Sequence, residues 1–164
     1  MATPTNLPAS FVSGEILTAA NMNLLRGAFR VLQVVSTQYS TVFERNTNTF
    51  ADTGITLNIT TQSNTSKVLV IATIPCQKAV GNTENACELK LLRGTTDLKT
   101  TTFINYTNSN VENRSVFTDN YLDSPATLGT LTYKYQLSNY VNATGVATCK
   151  NSSPATITLM EISA

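Results

Sequence analysis

Two carboxylates, Asp119 and Asp123, are the first candidates for chemistry in this sequence. Oxygen ligands from a loop are what calcium prefers, so this stretch offers a possible calcium site. Its spacing matches no established calcium loop, and carboxylates between strands are usually solvated. Glu84 and Glu88 lie near one polar loop, but nothing places either opposite a second carboxylate at the separation that glycoside hydrolysis needs. Calcium therefore stays open as a minor alternative, and glycoside hydrolysis is unsupported.

The sequence contains no histidine. Histidine is the commonest general base and metal ligand, and it activates serine and cysteine nucleophiles. The glycines stand singly among turn residues and form no phosphate-binding loop. We therefore predict that the protein is not an enzyme and has no catalytic residue, cofactor or resident metal.

The cysteines, Cys76, Cys87 and Cys149, are an odd and sparse set. Such a set does not make a disulfide framework. Cys76 and Cys87 flank a polar loop and would come together if their strands pair, so a disulfide between them is the alternative. Free thiols buried as small apolar side chains are favoured.

Several tyrosines in the second half offer an aromatic surface for a glycan or a protein: Tyr106, Tyr121, Tyr133, Tyr135 and Tyr140. Tyr133 and Tyr135 alternate with polar residues, which fits one buried face of a strand better than a binding platform. Core packing is therefore the favoured interpretation of these rings.

Charge is scarce and evenly spread. Only 13% of the residues are charged, the formal net charge is +1, and the basic residues are scattered singly. No basic stripe is present to hold a phosphate backbone, and no apolar run has the length of a membrane span. Residues 1–6 lack the pattern of a signal peptide. We predict no nucleic acid or membrane partner, and synthesis in the cytosol.

A short helical segment precedes the rest of the chain. Residues 1–13 carry Pro4 and Pro8 without periodicity and are expected to be extended. Thr18 is a plausible N-cap, and the apolar residues that follow repeat at helical spacing up to about residue 29. A helix of about ten residues is unstable alone and must pack on something. We predict that its apolar face is an anchor for a partner: Leu17, Met22, Leu25 and Phe29. The alternative is that this face covers the base of the protein's own oligomer.

Beyond residue 30 the period changes from helical to alternating. Candidate strands separated by polar turns run to the end of the sequence: Arg30–Thr37, Thr41–Arg45, Ile55–Thr60, Lys67–Ile74, Ala86–Arg93, Asp97–Asn105, Ser115–Leu122, Leu131–Leu137 and Ala155–Ile162. Many short strands without interleaved helices are typical of an antiparallel sandwich or barrel. The predicted fold is all-β: an antiparallel jelly-roll-like β-sandwich over residues 30–164, after an extended arm and short helix over residues 1–29.

Both ends of the chain resemble known virion proteins. Residues 11–23, FVSGEILTAANMN, resemble the short N-terminal element of many tailed-bacteriophage fibre and virion accessory proteins. The stretches VLQVVST (31–37), TGITLNIT (53–60) and SNTSKVLV (63–70) resemble the β domain that often follows it. ITLMEI (157–162) resembles that domain's last strand, whereas residues from about 75 to 150 show no such likeness.

The resemblance implies a virion structural protein, a homotrimer whose N-terminal segment docks on the particle. Its partner would be the major capsid protein or another virion protein. Because no shaft follows the predicted anchor, a capsid decoration (cement) protein or a short head fibre is expected rather than a full tail fibre. The alternative is a tail fibre or receptor-binding module that recognises a host surface glycan through residues 105–113 or 119–124.

Overall fold

A computed structural model gives the fold of the chain. The structure describes residues 31–81, 84–142, 145–148 and 153–163, together with Gly14, Ile16, Thr18 and Ala19. The predicted anchor residues Leu17, Met22, Leu25 and Phe29 lie outside the described residues, and so does nearly all of the predicted helix. The division of the chain at residue 29 therefore stays a prediction. Within the described part, no helix is long and apolar enough to cross a membrane.

The described part is built from ten β-strands. They are β1 (Val31–Tyr39), β2 (Phe43–Arg45), β3 (Ala51–Thr61), β4 (Lys67–Lys78), β5 (Asn85–Arg93), β6 (Thr96–Thr107), β7 (Asn113–Asp123), β8 (Gly129–Asn139), β9 (Val146–Thr148) and β10 (Ala155–Ile162). Each predicted strand is found, most of them longer than predicted, and β10 has the predicted bounds. Only β9, three residues long, has no counterpart in the prediction.

The strands form two antiparallel sheets with jelly-roll order. In the first, sheet A, the long strands run β1-β10-β4-β7, and the short β2 and β9 pair with each other beside β4. In the second, sheet B, the order is β3-β8-β5-β6. Apart from β5 and β6, which form a hairpin, neighbours among the long strands are distant in sequence, and this order is the double Greek-key arrangement of a jelly roll. The predicted fold class is confirmed.

Alternating apolar residues from both sheets fill the space between them. The inward side chains of β4 (Val68, Val70, Ala72, Ile74) and of β10 (Ile157, Leu159) meet those of β3, β5 and β8, and all of these are almost fully buried. Strand pleating sends successive side chains to opposite faces, so the alternation seen in the sequence becomes one core and two outer faces.

The sandwich has two different ends. Val31 at the start of β1 pairs with Ile162 at the end of β10, and Ile162 pairs with Lys67 at the start of β4. Short turns at residues 62–66, 94–95 and 124–128 lie at this same end, which we call the terminal end. The other connections, β1–β3, β4–β5, β6–β7 and β8–β10, include the longest of the fold and all lie at the opposite end, which we call the loop end.

Candidate binding surfaces

The segment that carries the predicted anchor joins the sandwich at the terminal end. The first described residue of β1, Val31, lies there, and β1 pairs along its length with β10 up to Tyr39 and Ala155. Strand β10 is itself paired with β4 in the middle of sheet A. A partner bound by residues 1–30 would thereby be linked covalently to β1 and, through the hydrogen bonds of β1 to β10, to the middle of sheet A.

The candidate calcium ligands Asp119 and Asp123 lie inside β7 and point into the sandwich, where both are nearly fully buried. Asp119 accepts hydrogen bonds from Lys99 Nζ at 2.5 Å and from Tyr135 Oη at 2.9 Å. Asp123 accepts from Arg93 Nη1 at 2.5 Å and from Tyr133 Oη at 2.7 Å. Each carboxylate is thus neutralised by its own cation and bridges the two sheets. Residues 119–123 are strand, so the predicted loop at residues 119–124 is not a loop, and glycan binding itself stays a prediction.

Burial, together with the adjacent carboxylates, raises the pKa of Tyr133 and of Tyr135. Both phenols therefore stay protonated and donate, so neither is placed to act as a base. Elsewhere, Glu88 accepts from Ser138 Oγ at 3.1 Å. Across the described residues, no group of three or more His, Cys, Asp or Glu side chains is arranged to hold a metal ion.

Cys76 and Cys87 are free, buried thiols, as the sequence favours. Their strands β4 and β5 belong to different sheets and do not pair, so the thiols lie in the core rather than on one ladder. Contact with Cys87, followed by burial, raises the pKa of Cys76, which keeps that thiol protonated and unreactive. Cys149 lies outside the described residues.

The tyrosines divide into a buried and an exposed set. Tyr133 and Tyr135 are core residues, and Tyr121 packs against the core. Tyr106 and Tyr140 are exposed and form a cluster with Phe103, which sequence reasoning missed. The Phe103 centroid lies 4.8 Å from that of Tyr140 and 5.7 Å from that of Tyr106. We call Phe103, Tyr106 and Tyr140 the aromatic cluster.

Two irregularities in β6 create this cluster. The pairing of β5 with β6 shifts between Asn85 and Cys87 and again between Cys87 and Leu89, so β6 carries an extra residue at each place. Phe103 and Asn105 in these stretches both have φ of +59°. For a bulky residue such as phenylalanine this conformation is strained, and strain of this kind concentrates at functional sites. β-Bulges change the direction in which side chains point, and these bulges lie at the exposed ring of Phe103 and beside it.

A buried lysine fixes the loop beside the cluster. Lys78, at the end of β4, is fully buried, and its Nζ donates to the carbonyl oxygens of Ser109 at 2.7 Å and Val111 at 3.1 Å. Burial lowers its pKa. These bonds hold the β6–β7 connection against the end of sheet A. Nothing in the sequence distinguishes Lys78 from a solvated lysine.

The outer face of sheet B is charged. Lys134 pairs with Asp52 at 2.9 Å and Lys90 pairs with Asp97 at 2.8 Å, and Lys90 also lies 4.4 Å from the centre of the Phe50 ring. Exposed ion pairs of this kind are typical of a surface that faces water.

The outer face of sheet A is uncharged across most of its area. One row of apolar side chains crosses the sheet, since Val34 lies opposite Met160, Met160 opposite Leu69, and Leu69 opposite Leu122. Exposed Ile71 lies in the next row. Among the outward residues of the four long strands, the charged side chains are Lys67 at the terminal end and Arg114 at the loop end.

A cavity of about 240 Å³ lies on this face near the loop end. It is lined by Pro75, Cys76, Gln77, Arg114, Ser115, Val116 and Ser153. Arg114 is engaged with Glu112 at 2.5 Å. Among the described residues that line the cavity there is no carboxylate.

Comparison with known proteins gives no family assignment. No protein-family model matches the chain, and no curated protein matches it. Among solved structures, T=1 particles derived from infectious bursal virus match with a TM-score of 0.41 and 13% identity, over 80% of this chain and 36% of that one. The VP2 subviral particle of infectious bursal disease virus gives 0.34 and 13%, over 80% and 37%.

The Gx strain of infectious bursal disease virus gives a TM-score of 0.38 and 16% identity, over 80% of this chain and 37% of that one. The chain thus spans little more than a third of the length of these neighbours. TM-scores below 0.5 do not establish a shared fold or role. The jelly-roll assignment stands on the strand order of this chain alone.

Proposed function

We propose that this protein is a non-enzymatic structural component of a tailed-bacteriophage particle, assembled in the host cytoplasm. In this proposal it is a homotrimeric capsid decoration (cement) protein or short head fibre, and its N-terminal segment docks on the major capsid protein or another virion protein. The observation that supports it most is the polarity of the sandwich. The segment that resembles a phage docking element enters at the terminal end, and the aromatic cluster and long connections lie at the loop end.

This polarity suits an attachment protein mechanically. A load applied through residues 1–30 reaches β1, whose hydrogen bonds to β10 run along the strand up to Tyr39. Pulling on β1 along its length would load these bonds together rather than one after another, so the sandwich resists extraction from its anchor.

Docking would stabilise an assembled shell by mass action. A ligand that binds only the assembled state favours that state by RT ln(1 + [L]/Kd). In a closed trimer three anchors act together, and the second and third bind at a high effective concentration. Weak contacts at Leu17, Met22, Leu25 and Phe29 would then give lasting attachment.

The docking proposal predicts that removing residues 1–29 abolishes binding to virus particles. The truncated chain should retain its β-type circular dichroism and its oligomeric mass, because the sandwich begins at Val31. The measurement is co-sedimentation with particles that lack the protein. Truncated protein that still co-sediments would contradict the anchor.

A point-variant version keeps the chain length. Changing Leu17, Met22, Leu25 and Phe29 together to serine should weaken co-sedimentation at least about tenfold, since each loses an apolar contact. The matched control changes Ala20 and Asn23 to serine, which lie on the opposite side of the predicted helix. Equal losses in both variants would show that the segment acts without a preferred face.

The aromatic cluster favours a second candidate, in which the loop end recognises a host surface glycan. Its rings are exposed, Phe103 lies at a bulge of β6, and the cluster lies at the loop end, away from the terminal end where the proposed anchor segment enters. Rigid aromatic side chains supply binding area at little entropic cost.

In that case, replacing Tyr106 and Tyr140 together by alanine should reduce binding of the full chain to an array of bacterial surface polysaccharides at least about tenfold. Val116→Ala, an exposed position on β7 outside the cluster, is the control and should bind as the unaltered protein does. If the unaltered protein binds no polysaccharide on the array and no host cells, the second candidate fails and capsid decoration remains.

A further inference from the structure

The outer face of sheet A differs from that of sheet B in composition rather than in shape. Both are four long strands wide and both are rich in threonine. Sheet B distributes acidic and basic side chains over its surface and pairs them. The long strands of sheet A have no outward charged side chain between Lys67 and Arg114. They expose a row of apolar side chains, whereas sheet B exposes ion pairs. The outer face of sheet B therefore has the composition of a solvated surface, whereas the outer face of sheet A does not.

The polar groups of this face share one property. Beyond the apolar row, Ile71, Pro75 and Val116 are apolar, but many outward positions carry side chains that both donate and accept hydrogen bonds: Ser36, Gln38, Thr73, Thr118, Asn120, Thr156 and Thr158. Hydroxyl and amide groups can satisfy identical groups on another copy, whereas a charged group would face its own kind or need a separate partner. The surface is therefore chemically complementary to itself.

The size of the face is sufficient. Four strands at about 4.8 Å spacing and about eight residues at 3.4 Å each give a face of about 500 Å². Three such faces covered in one trimer would bury about 1,500 Å² in total, which is on the scale of a specific interface. An apolar patch left exposed on a monomer would instead be a liability for non-specific aggregation.

We propose that the outer face of sheet A is the self-association surface of this protein and is covered by other copies of the same chain. The Val34–Met160–Leu69–Leu122 row forms the apolar centre of the contact, and the hydroxyl and amide rows flank it. The number of copies, three, rests on the proposed function. The choice of the face rests on the structure. Sheet B and the loop end then face outward, and the terminal ends of the copies project to one side.

Lysine substitutions at exposed apolar positions test the face directly. Val34 is 53% exposed and Leu122 is 50% exposed, so Val34→Lys with Leu122→Lys disturbs no core. The matched control is Val80→Lys with Leu128→Lys, at positions 55% and 62% exposed but in the β4–β5 and β7–β8 connections. The two variants change the same residue types and add the same charge, and they differ in where the lysines lie.

The readout is the molar mass of the full chain at micromolar concentration, measured by light scattering after size exclusion. The unaltered protein and the control should have a mass near three times 17.7 kDa. The Val34→Lys, Leu122→Lys variant should dissociate to the monomer, with an association constant at least about a hundredfold lower, because six desolvated charges would meet in one trimer. Its β-type circular dichroism should match that of the control variant, whereas its melting temperature should fall together with its molar mass, because association stabilises the folded chain.

The remaining outcomes separate this inference from the proposed function. If the Val34→Lys, Leu122→Lys variant keeps the molar mass of the control variant, the outer face of sheet A is not the self-association surface. An unaltered protein that is monomeric overturns self-association, and the particle-binding experiment is unaffected by that result. If the unaltered protein has a mass near twice that of one chain and the Val34→Lys, Leu122→Lys variant is monomeric, the face is supported and the trimer is contradicted. A variant that melts at lower temperature without a change in mass shows that the face is covered within one chain, which also overturns the inference.

Discussion

Replacing Glu161 by alanine is expected to lower the free energy of unfolding by about 2–4 kcal/mol at pH 7. Glu161 lies on β10 among core residues and is fully buried. Its Oε1 accepts from the backbone N–H of Gln62 at 2.7 Å and of Ser63 at 3.3 Å, and its Oε2 accepts from Gln33 Nε2 at 2.5 Å. The carboxylate thus fastens the β3–β4 turn and β1 to the last strand, and its removal leaves several donors without an acceptor.

The contribution of Glu161 should depend on pH. Burial raises its pKa, but the hydrogen bonds from the Gln33 side chain and from the backbone N–H groups of Gln62 and Ser63 together lower it more, so the net shift is downward from 4.5. A carboxyl with a lowered pKa in the folded state stabilises the fold fully above its unfolded pKa. That contribution is lost as the pH falls through the folded pKa. The difference in stability between the unaltered protein and Glu161→Gln should therefore shrink below about pH 4.5.

Chemical denaturation from pH 7 to pH 3 measures this dependence. Glu44→Gln, at an exposed position on β2, is the control and should change the stability by less than about 0.5 kcal/mol at every pH. A Glu161→Gln variant as stable as that control at pH 7 would contradict the assigned role of the carboxylate.

The strands of this protein were predictable because the sequence alternates, and alternation is a local property. The same pattern, extended one position further, also identifies Glu161 as inward, since it follows Ile157 and Leu159 at intervals of two. On β7 the pattern fails, because Asp119, Tyr121 and Asp123 alternate with Thr118, Asn120 and Leu122 and neither set is clearly apolar. Which set is buried is decided by Tyr133 and Tyr135 across the sandwich, and the local sequence does not contain that information.

The aromatic cluster was not predictable for a related reason. Phe103 and Tyr140 are far apart in the chain and meet because β5 pairs with both β6 and β8. The bulges at Phe103 and Asn105 contain no glycine, so the sequence does not indicate a positive φ there. The uncharged face of sheet A likewise appears only when the register aligns residues from four strands. Local pattern therefore predicts the elements, whereas the surfaces depend on how those elements are paired.

The second large effect on stability is expected at the two buried carboxylates of β7, Asp119 and Asp123. The exposure of their cations predicts which carboxylate is the more costly to remove. Asp123→Ala should lower the free energy of unfolding by about 3–5 kcal/mol, since the side chain of its cation, Arg93, is only 23% exposed and would be left largely buried without a counter-ion. Asp119→Ala should cost less, about 1–3 kcal/mol, because the side chain of Lys99 is 39% exposed and can turn towards water. Both changes also leave a buried tyrosine hydroxyl without its acceptor.

Urea denaturation of the two alanine variants at pH 7 measures this order. Glu44→Ala provides the control, because Glu44 is exposed on β2, and it should cost less than about 1 kcal/mol. Adding Tyr133→Phe to Asp123→Ala should recover part of the loss, since it removes the orphaned hydroxyl. Equal costs for Asp119 and Asp123 would show that burial of the cation does not set the penalty. A cost near that of the control for both would show that these bridges do not hold the two sheets together.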